Sequence, residues 1–374
     1  MTRIYLDYNA STPIAPQVLE AMMPYLTSKF GNPSSSHSFG VECRAGVEQA
    51  RERMANLLGC EASEIVFTSG ATEANNMVIK GIAKAAGKGK HFITSQIEHP
   101  AVLEPCRNLE RFRYNVTYLP VDRHGMVDPE ELSRSITRDT VLVTIMHANN
   151  EVGTIQNIAA LSKVAASHGV LFHTDAAQSV GKVRCRVNEL GIDFLTVAGH
   201  KFYAPKGVGC LYVRQGKKVP PLMLGAGHER GFRPGTENVA SIVGLGQACE
   251  LVMPTLESEG NRQKELGHRL INRLRTAGFR VHLNGHADQK LPNTWNLSFE
   301  KYNTAEIMEA LGRDVAVSAG AACHGDTVTA SHVLTAMEVP PELSRGAIRF
   351  SFGRETIEAE IDTVVDTLKS KLSL

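Results

Sequence analysis

A lysine, an aspartate, a histidine and a cysteine stand where apolar runs give way to small and polar residues, and each could do chemistry there. Lys201 lies in Ala198-Gly199-His200-Lys201, directly after the apolar run 192–197. A lysine in a buried pocket can lose its proton and attack a carbonyl to form a Schiff base. Most lysines are surface charges, and the position at a run's end is what singles this one out. Asp175 follows the run 170–174, with Gln178 three residues on. A carboxylate beside a pyridine nitrogen keeps that nitrogen protonated and makes the ring an electron sink; an aspartate capping a helix reads equally well from the residue alone. His99 follows Glu98 at another run's end. An imidazole there can stack on a flat cofactor or shuttle protons, though a lone loop histidine is more commonly just hydrogen-bonded.

Other residues suit charged ligands. Ser69-Gly70-Ala71-Thr72 opens a helical pattern. Its free N–H groups and positive dipole end suit an anion such as phosphate, yet small residues at a helix start are common. Neither glycine-rich nucleotide signature, G-x-x-x-x-G-K-[ST] or G-x-G-x-x-G, occurs, which disfavours a nucleotide-dependent dehydrogenase. Arg349 lies on an alternating pattern at 347–352. Its planar fork suits a substrate carboxylate; a surface salt bridge, worth little, is the plainer alternative. Cys323 lies in a stretch from Ser318 to Ser331 made almost wholly of small or polar residues. Such a stretch is expected to be a mobile loop, and a cysteine on it is a candidate nucleophile. His324 is placed to help ionise the thiol, although adjacent side chains often point apart. The other six cysteines, at 43, 60, 106, 185, 210 and 249, sit mostly in apolar or helical contexts and are expected to be structural.

These residues belong to a repeating pattern. From about residue 64 to 213, strand-like runs at 64–68, 91–95, 116–119, 141–146, 170–174, 192–197 and 208–213 alternate with helical stretches such as 157–169. Several runs are β-branched and nearly continuous, as strands buried on both faces are. The alternation predicts an α/β fold with a mostly parallel sheet. Five runs are followed by polar clusters: SGATEANN, QIEHP, HANNEVG, DAAQS and AGHK. Ligands bind at the carboxyl ends of parallel strands, so the five clusters should converge on one pocket. After about residue 240 a long helical stretch (237–256) leads to charged helical sequence (261–277), shorter strands (279–283, 293–299) and a helix (304–311). This predicts two domains: a large one over 15–256, and a smaller α+β one over 1–14 and 257–374.

Bulk properties exclude several classes. The chain has 374 residues, 43% hydrophobic and 21% charged, with formal net charge +1. That is an ordinary soluble composition with no electrostatic footprint for nucleic acid or a membrane surface. The amino terminus lacks the pattern of a signal peptide and no uncharged apolar run reaches membrane length, so a cytoplasmic location is expected. The seven cysteines are an odd count without C-x-x-C pairs, which argues for a reducing compartment and against a disulfide framework or a zinc site.

In chain order, YLDYNASTP (5–13), FGNPSSSH (30–37), TSGATEANN (68–76), IEHPAV (97–102), NNEVG (149–153), DAAQS (175–179), GHKFYAPKGVG (199–209), FRPGTENV (232–239), GAAC (320–323) and IRFSFGR (348–354) resemble the class V aminotransferase-like cysteine desulfurases of the NifS/IscS type and their selenocysteine lyase relatives. The resemblance covers nearly the whole chain. It implies a pyridoxal 5′-phosphate (PLP) enzyme of fold type I, with a mostly parallel seven-stranded sheet. It implies that Lys201 holds the cofactor and moves the Cα proton, that Asp175 pairs with the pyridine nitrogen and Gln178 with the phenolic oxygen, and that His99 stacks on the ring and assists proton transfer. Ala71, Thr72 and His200 would bind phosphate, joined by Thr236 from the partner subunit of a homodimer. Asn150 and Arg349 would bind the substrate carboxylate. Cys323 would take the sulfur as a persulfide and hand it to an acceptor protein.

The chain departs from the family pattern at three places. Position 198 is Ala where many members have a phosphate-binding Ser. Pro100 follows the stacking histidine, where selenocysteine lyases tend to have Asp. The loop reads GAACHGD, closer to selenocysteine lyases than to the desulfurase GSACTS. The two signals conflict, and because the residue after the histidine faces the substrate, cysteine desulfuration is the primary expectation. Selenocysteine cleavage, or an ordinary PLP lyase or transaminase in which Cys323 is incidental, are the alternatives.

Overall fold

The computed structural model describes residues 3–87, 89–319, 323–324, 327–328 and 331–372. After a two-residue strand, β1 (Ile4–Tyr5), seven strands form the main sheet: β2 (Ile65–Thr68), β3 (His91–Ser95), β4 (Asn115–Leu119), β5 (Thr140–Thr144), β6 (Leu171–Asp175), β7 (Phe194–Ala198) and β8 (Gly209–Val213). Their spatial order is β2-β8-β7-β6-β5-β3-β4. Only β8 runs against its neighbours, so the other six point the same way.

The continuous apolar runs reflect burial on both faces. Side chains alternate across a strand. Ile65, Phe67, Ile93, Val143 and Leu195 join one core, while Val66, Phe92, Leu142 and Phe194, their immediate neighbours in sequence, join the core on the other face. Each such side chain contributes about 1.5–3 kcal/mol when fully buried. Helices cover both faces, among them α1 (Pro16–Thr27), α2 (Ser38–Leu58), α3 (Ala71–Ala86) and α4 (Pro100–Arg111).

The expected long helix at 237–256 is shorter. Asn238 caps a helix over Val239–Val252 by accepting from Ser241 N, and the chain then passes through a tight turn at Met253–Thr255 into a helix over Leu256–Thr276. Pro254 in the turn is the reason, since it cannot donate to the preceding helical carbonyl. Among the described residues Val239–Thr276 is the one helical stretch long and apolar enough to cross a membrane. Its first part packs against α1 and α2. A Cβ added at Gly246 would stand 2.6 Å from Ala50 Cα, which shows how closely two backbones approach there.

A second, antiparallel sheet follows: β9 (Val281–Asn284), β10 (Thr294–Phe299), β12 (Ser318–Ala319) and β15 (Ala347–Ser351), in the order β12-β15-β10-β9; β11 (Val315–Ala316) instead pairs with β1. Its core takes residues from the helices Leu256–Thr276, Thr304–Leu311 and Glu358–Lys371. β13 (Cys323–His324) pairs with β14 (Thr327–Val328). The rest of the segment 320–330 lies outside the described residues, and so does the side chain of Cys323.

Candidate active site

The five polar clusters meet. Ser69, Ala71, Thr72, His99, Ala148, Asn150, Asp175, Gln178, Ala198, His200 and Lys201 all line one cavity of about 460 Å³ at the carboxyl ends of β2, β3, β5, β6 and β7. That size suits a small-molecule site.

Gly70 precedes α3 with φ 147°, a conformation that favours glycine. It also lies where β8 begins: a Cβ at Gly209 would come within 2.8 Å of Gly70 Cα. Ala71 and Thr72 are the first residues of the 16-residue helix, so their N–H groups have no acceptor within it. Glu73 shares the cavity wall, but its carboxylate accepts from Ser69 N at 2.8 Å and from Arg233 Nε at 2.9 Å. Lys206 and His200 line the same wall.

Asp175 is the last residue of β6, one residue inside the strand predicted to end before it. No helix begins there, so it is not a helix cap. Its Oδ2 accepts from Asn75 Nδ2 at 2.6 Å and its Oδ1 from Ala177 N at 2.9 Å, which fixes the carboxylate in the cavity wall. His99 caps α4, its Nδ1 accepting from Ala101 N at 3.1 Å. An imidazole that accepts at Nδ1 carries its proton on Nε2 when neutral. Burial, with Lys201 and His332 nearby, holds it below its usual range against the pull of Asp175. Burial, with Lys201 and two further lysines, takes His200 down to about 4.

Lys201 Nζ donates to the backbone carbonyls of Asn9, at 2.7 Å, and Ala10, at 2.9 Å. Burial and then Arg349 push its ammonium down to about 8, against Asp175 and Asp7. The amino-terminal segment also shapes the turn that carries it. Thr12 N donates to His200 O at 2.9 Å, and Thr12 Oγ1 accepts from Tyr203 N at 2.7 Å. Tyr203 has φ 72°, rare for a side chain of its size.

Arg349 and Thr236 do not line this cavity. The Arg349 guanidinium donates to Asp7 Oδ1 at 2.7 Å and to the Asn150 carbonyl at 2.8 Å, and its Nε is buried without a partner. It is thus a buried ion pair rather than a surface one. Thr236 is exposed, just before the helix Val239–Val252. Of the other six cysteines, five are buried free thiols and Cys60 is half-buried. Burial raises Cys60, Cys106 and Cys185 to about 12, which makes them inert.

Sequence reasoning passed over Asn9, Asn75 and Lys182. Asn75 lies one turn along α3 from Ala71, and Lys182 four residues after Gln178, so helical or turn spacing was the available signal. Asn9 had none beyond its place in a polar stretch.

The aminotransferase class-V family model matches residues 4–364. The chain is 49% identical to a cysteine desulfurase IscS of Dictyoglomus turgidum, over 98% of this chain and 93% of that protein. It is 46% identical to a cysteine desulfurase IscS of Methanosarcina thermophila, over 98% and 91%. A solved NifS-like protein superposes with TM-score 0.93 at 38% identity, covering 99% of both chains. A solved SspA in complex with cysteine superposes with TM-score 0.84 at 39% identity, covering 95% of this chain and all of that one. The alternation of strands and polar clusters, the cavity they build and these likenesses agree: the chain belongs to the class-V aminotransferase family, among its PLP-dependent cysteine desulfurases.

Proposed function

We propose that this protein converts L-cysteine to L-alanine and carries the released sulfur on Cys323 as a persulfide. The observation that carries the reading is the convergence of Lys201, Asp175, His99 and the start of α3 on one cavity.

The residues suit PLP. The helix start offers N–H donors for a phosphate, with His200 and Lys206 beside it; Ala198 brings a methyl where a hydroxyl would add a contact. The anchored Asp175 carboxylate suits a protonated pyridine nitrogen, Gln178 the phenolic oxygen, and the flat face of His99 the ring. Lys201 offers an amine of lowered basicity for the aldehyde. When bound, PLP supplies a sink for the electron pair left at Cα.

The chain's own residues do the rest. Lys201 would hold the cofactor's aldehyde and, once freed of it, would be the amine placed to take the Cα proton. Burial and Arg349 lower the basicity of this amine, which favours the neutral form that can take a proton. His99 holds its ring proton at Nε2, where it can be passed on. Asn150 and Arg349 are the proposed carboxylate partners. The Cys323 thiolate attacks the substrate sulfur: the substrate C–S bond breaks, an S–S bond forms, and Cβ gains a proton to become the methyl of alanine. Thiol plus cysteine gives persulfide plus alanine, so no external oxidant or reductant is needed.

The same reading assigns residues 15–256 to cofactor binding and 1–14 with 257–374 to the unit that brings Cys323. It takes the protein as a cytoplasmic homodimer, with Thr236 serving the partner's phosphate, that passes sulfur to an acceptor protein. Exposed Leu19, Met23 and Leu26, at helical spacing along α1, support a covered face. A second reading, selenocysteine cleavage, rests on the loop sequence GAACHGD. Alanine release from L-cysteine and L-selenocysteine, with Cys323→Ala beside the wild type, tests both. Turnover of cysteine lost in the variant is the expected result. Turnover of selenocysteine alone would move the assignment to a lyase, and turnover of neither would overturn it.

A further inference from the structure

Asn9 is 1% exposed and uses every polar atom it has. Its carbonyl accepts from Gln178 Nε2 at 2.9 Å and from Lys201 Nζ at 2.7 Å. Its Oδ1 accepts from Lys182 Nζ at 2.8 Å and Asn293 Nδ2 at 3.0 Å. Its Nδ2 donates to Thr294 Oγ1 at 2.8 Å and to the Asn150 carbonyl at 3.1 Å, and its N to Ser351 Oγ at 3.0 Å. Lys182 closes this network by also donating to Gln178 Oε1 at 2.7 Å.

We propose that Lys182 is a positioning residue for the cofactor site, fixing which way the Gln178 amide faces. An ammonium only donates and a carbonyl only accepts. Lys182 therefore requires the oxygen of Gln178, and the Asn9 carbonyl requires its nitrogen. The amide has one orientation, and the second Nε2 hydrogen is left for the cavity that Gln178 lines. A phenolic oxygen needs that donor. In the flipped amide an oxygen would face the phenolic oxygen, which could then meet it only by keeping its own proton. The inference rests on the proposed pairing of Gln178 with the phenolic oxygen. Burial, with Lys201 and Arg349 nearby, also lowers Lys182 well below the usual lysine range. A neutral amine could accept as well as donate, but the Asn9 carbonyl takes Gln178 Nε2, which leaves Oε1 to receive the Lys182 N–H in either charge state.

The test is the PLP dissociation constant of the apo protein, measured by equilibrium dialysis. It is independent of turnover, so it stands apart from failure of the desulfurase reading. Lys182→Met should weaken PLP binding about tenfold, by the loss of one hydrogen bond that orders the Gln178 amide. Lys182→Arg, which also only donates, should stay within about threefold of wild type. If Lys182 acts through Gln178, the double variant Lys182→Met/Gln178→Ala binds no more weakly than Gln178→Ala alone. Wild-type affinity in Lys182→Met overturns the proposal, and so does a double variant weakened by the product of the two single effects. Should Lys182→Met not fold, Lys182→Gln makes the same comparison, since its amide can face either way.

Discussion

Arg349 Nη1 donates to the Asn150 backbone carbonyl at 2.8 Å, so the two residues proposed for the substrate carboxylate are bonded to each other although only Asn150 lines the cavity. β15 of the second sheet is thereby tied to the turn after β5 of the first, and Asp7 holds the other arm of the fork. A substrate carboxylate taken by Arg349 must compete with Asp7.

Arg349→Lys keeps a charge but loses the fork. The expected outcome is a KM for cysteine raised at least about tenfold, with the cofactor's visible absorbance unchanged. Steady-state kinetics beside an absorbance spectrum checks it. An unchanged KM would remove Arg349 from substrate binding and leave it as the tie between the two sheets.

Lys201→Ala should abolish the visible absorbance of lysine-bound PLP while the protein stays folded, because this amine lines the cavity directly after β7 and burial lowers its basicity. The sign of the shift gives a second readout. In the apo protein Lys201 should react with an amine-acylating reagent half-maximally near pH 8, where an ordinary lysine does so near pH 10.4. Retained absorbance in the variant would place the cofactor elsewhere.

Asn75→Leu removes the donor at 2.6 Å from Asp175 Oδ2 without opening a large space. Losing a hydrogen bond to a charged group costs about 1.5–3 kcal/mol, so PLP affinity should fall roughly ten- to a hundredfold. Equilibrium dialysis reads this directly. Affinity equal to wild type would mean that Ala177 N alone holds the carboxylate.

The sheet was legible because burial on both faces leaves continuous apolar runs, and the cavity was legible because those runs end in polar clusters. Asp175 and Lys201 could be found that way. Their supports could not. Gln178 meets Asn9 across 169 residues and Lys201 meets it across 192; Arg349 meets Asp7 across 342. Nothing local in YLDYNASTP marks an asparagine that seven hydrogen bonds enclose. Arg349 also read as well for a surface ion pair as for a ligand-binding fork, since an alternating strand does not say which face is covered. Pro254 was visible, yet the apolar period runs on past it, and the helix break needed the structure.

Glu98 offers a test of the interior beside His99. It is fully buried; its Oε1 accepts from Ser95 Oγ at 2.6 Å and Met146 N at 2.8 Å, while Oε2 has no partner. Burial pushes its carboxyl up from 4.5 to about 8. Between those values the folded protein keeps a proton that the unfolded chain has released. The contribution to stability is therefore fully present below pH 4.5 and is lost as pH rises through about 8, at no more than about 1.4 kcal/mol per pH unit. Glu98→Gln stays neutral throughout and keeps an oxygen for Ser95 and Met146. Its stability relative to wild type should rise steadily from pH 5 to 8, by a few kcal/mol at most. Urea midpoints of both proteins over that range give the difference, in which all other titrating groups cancel. A difference that does not change with pH would mean that Glu98 is ionised in the folded protein, with a partner for Oε2 such as a buried water.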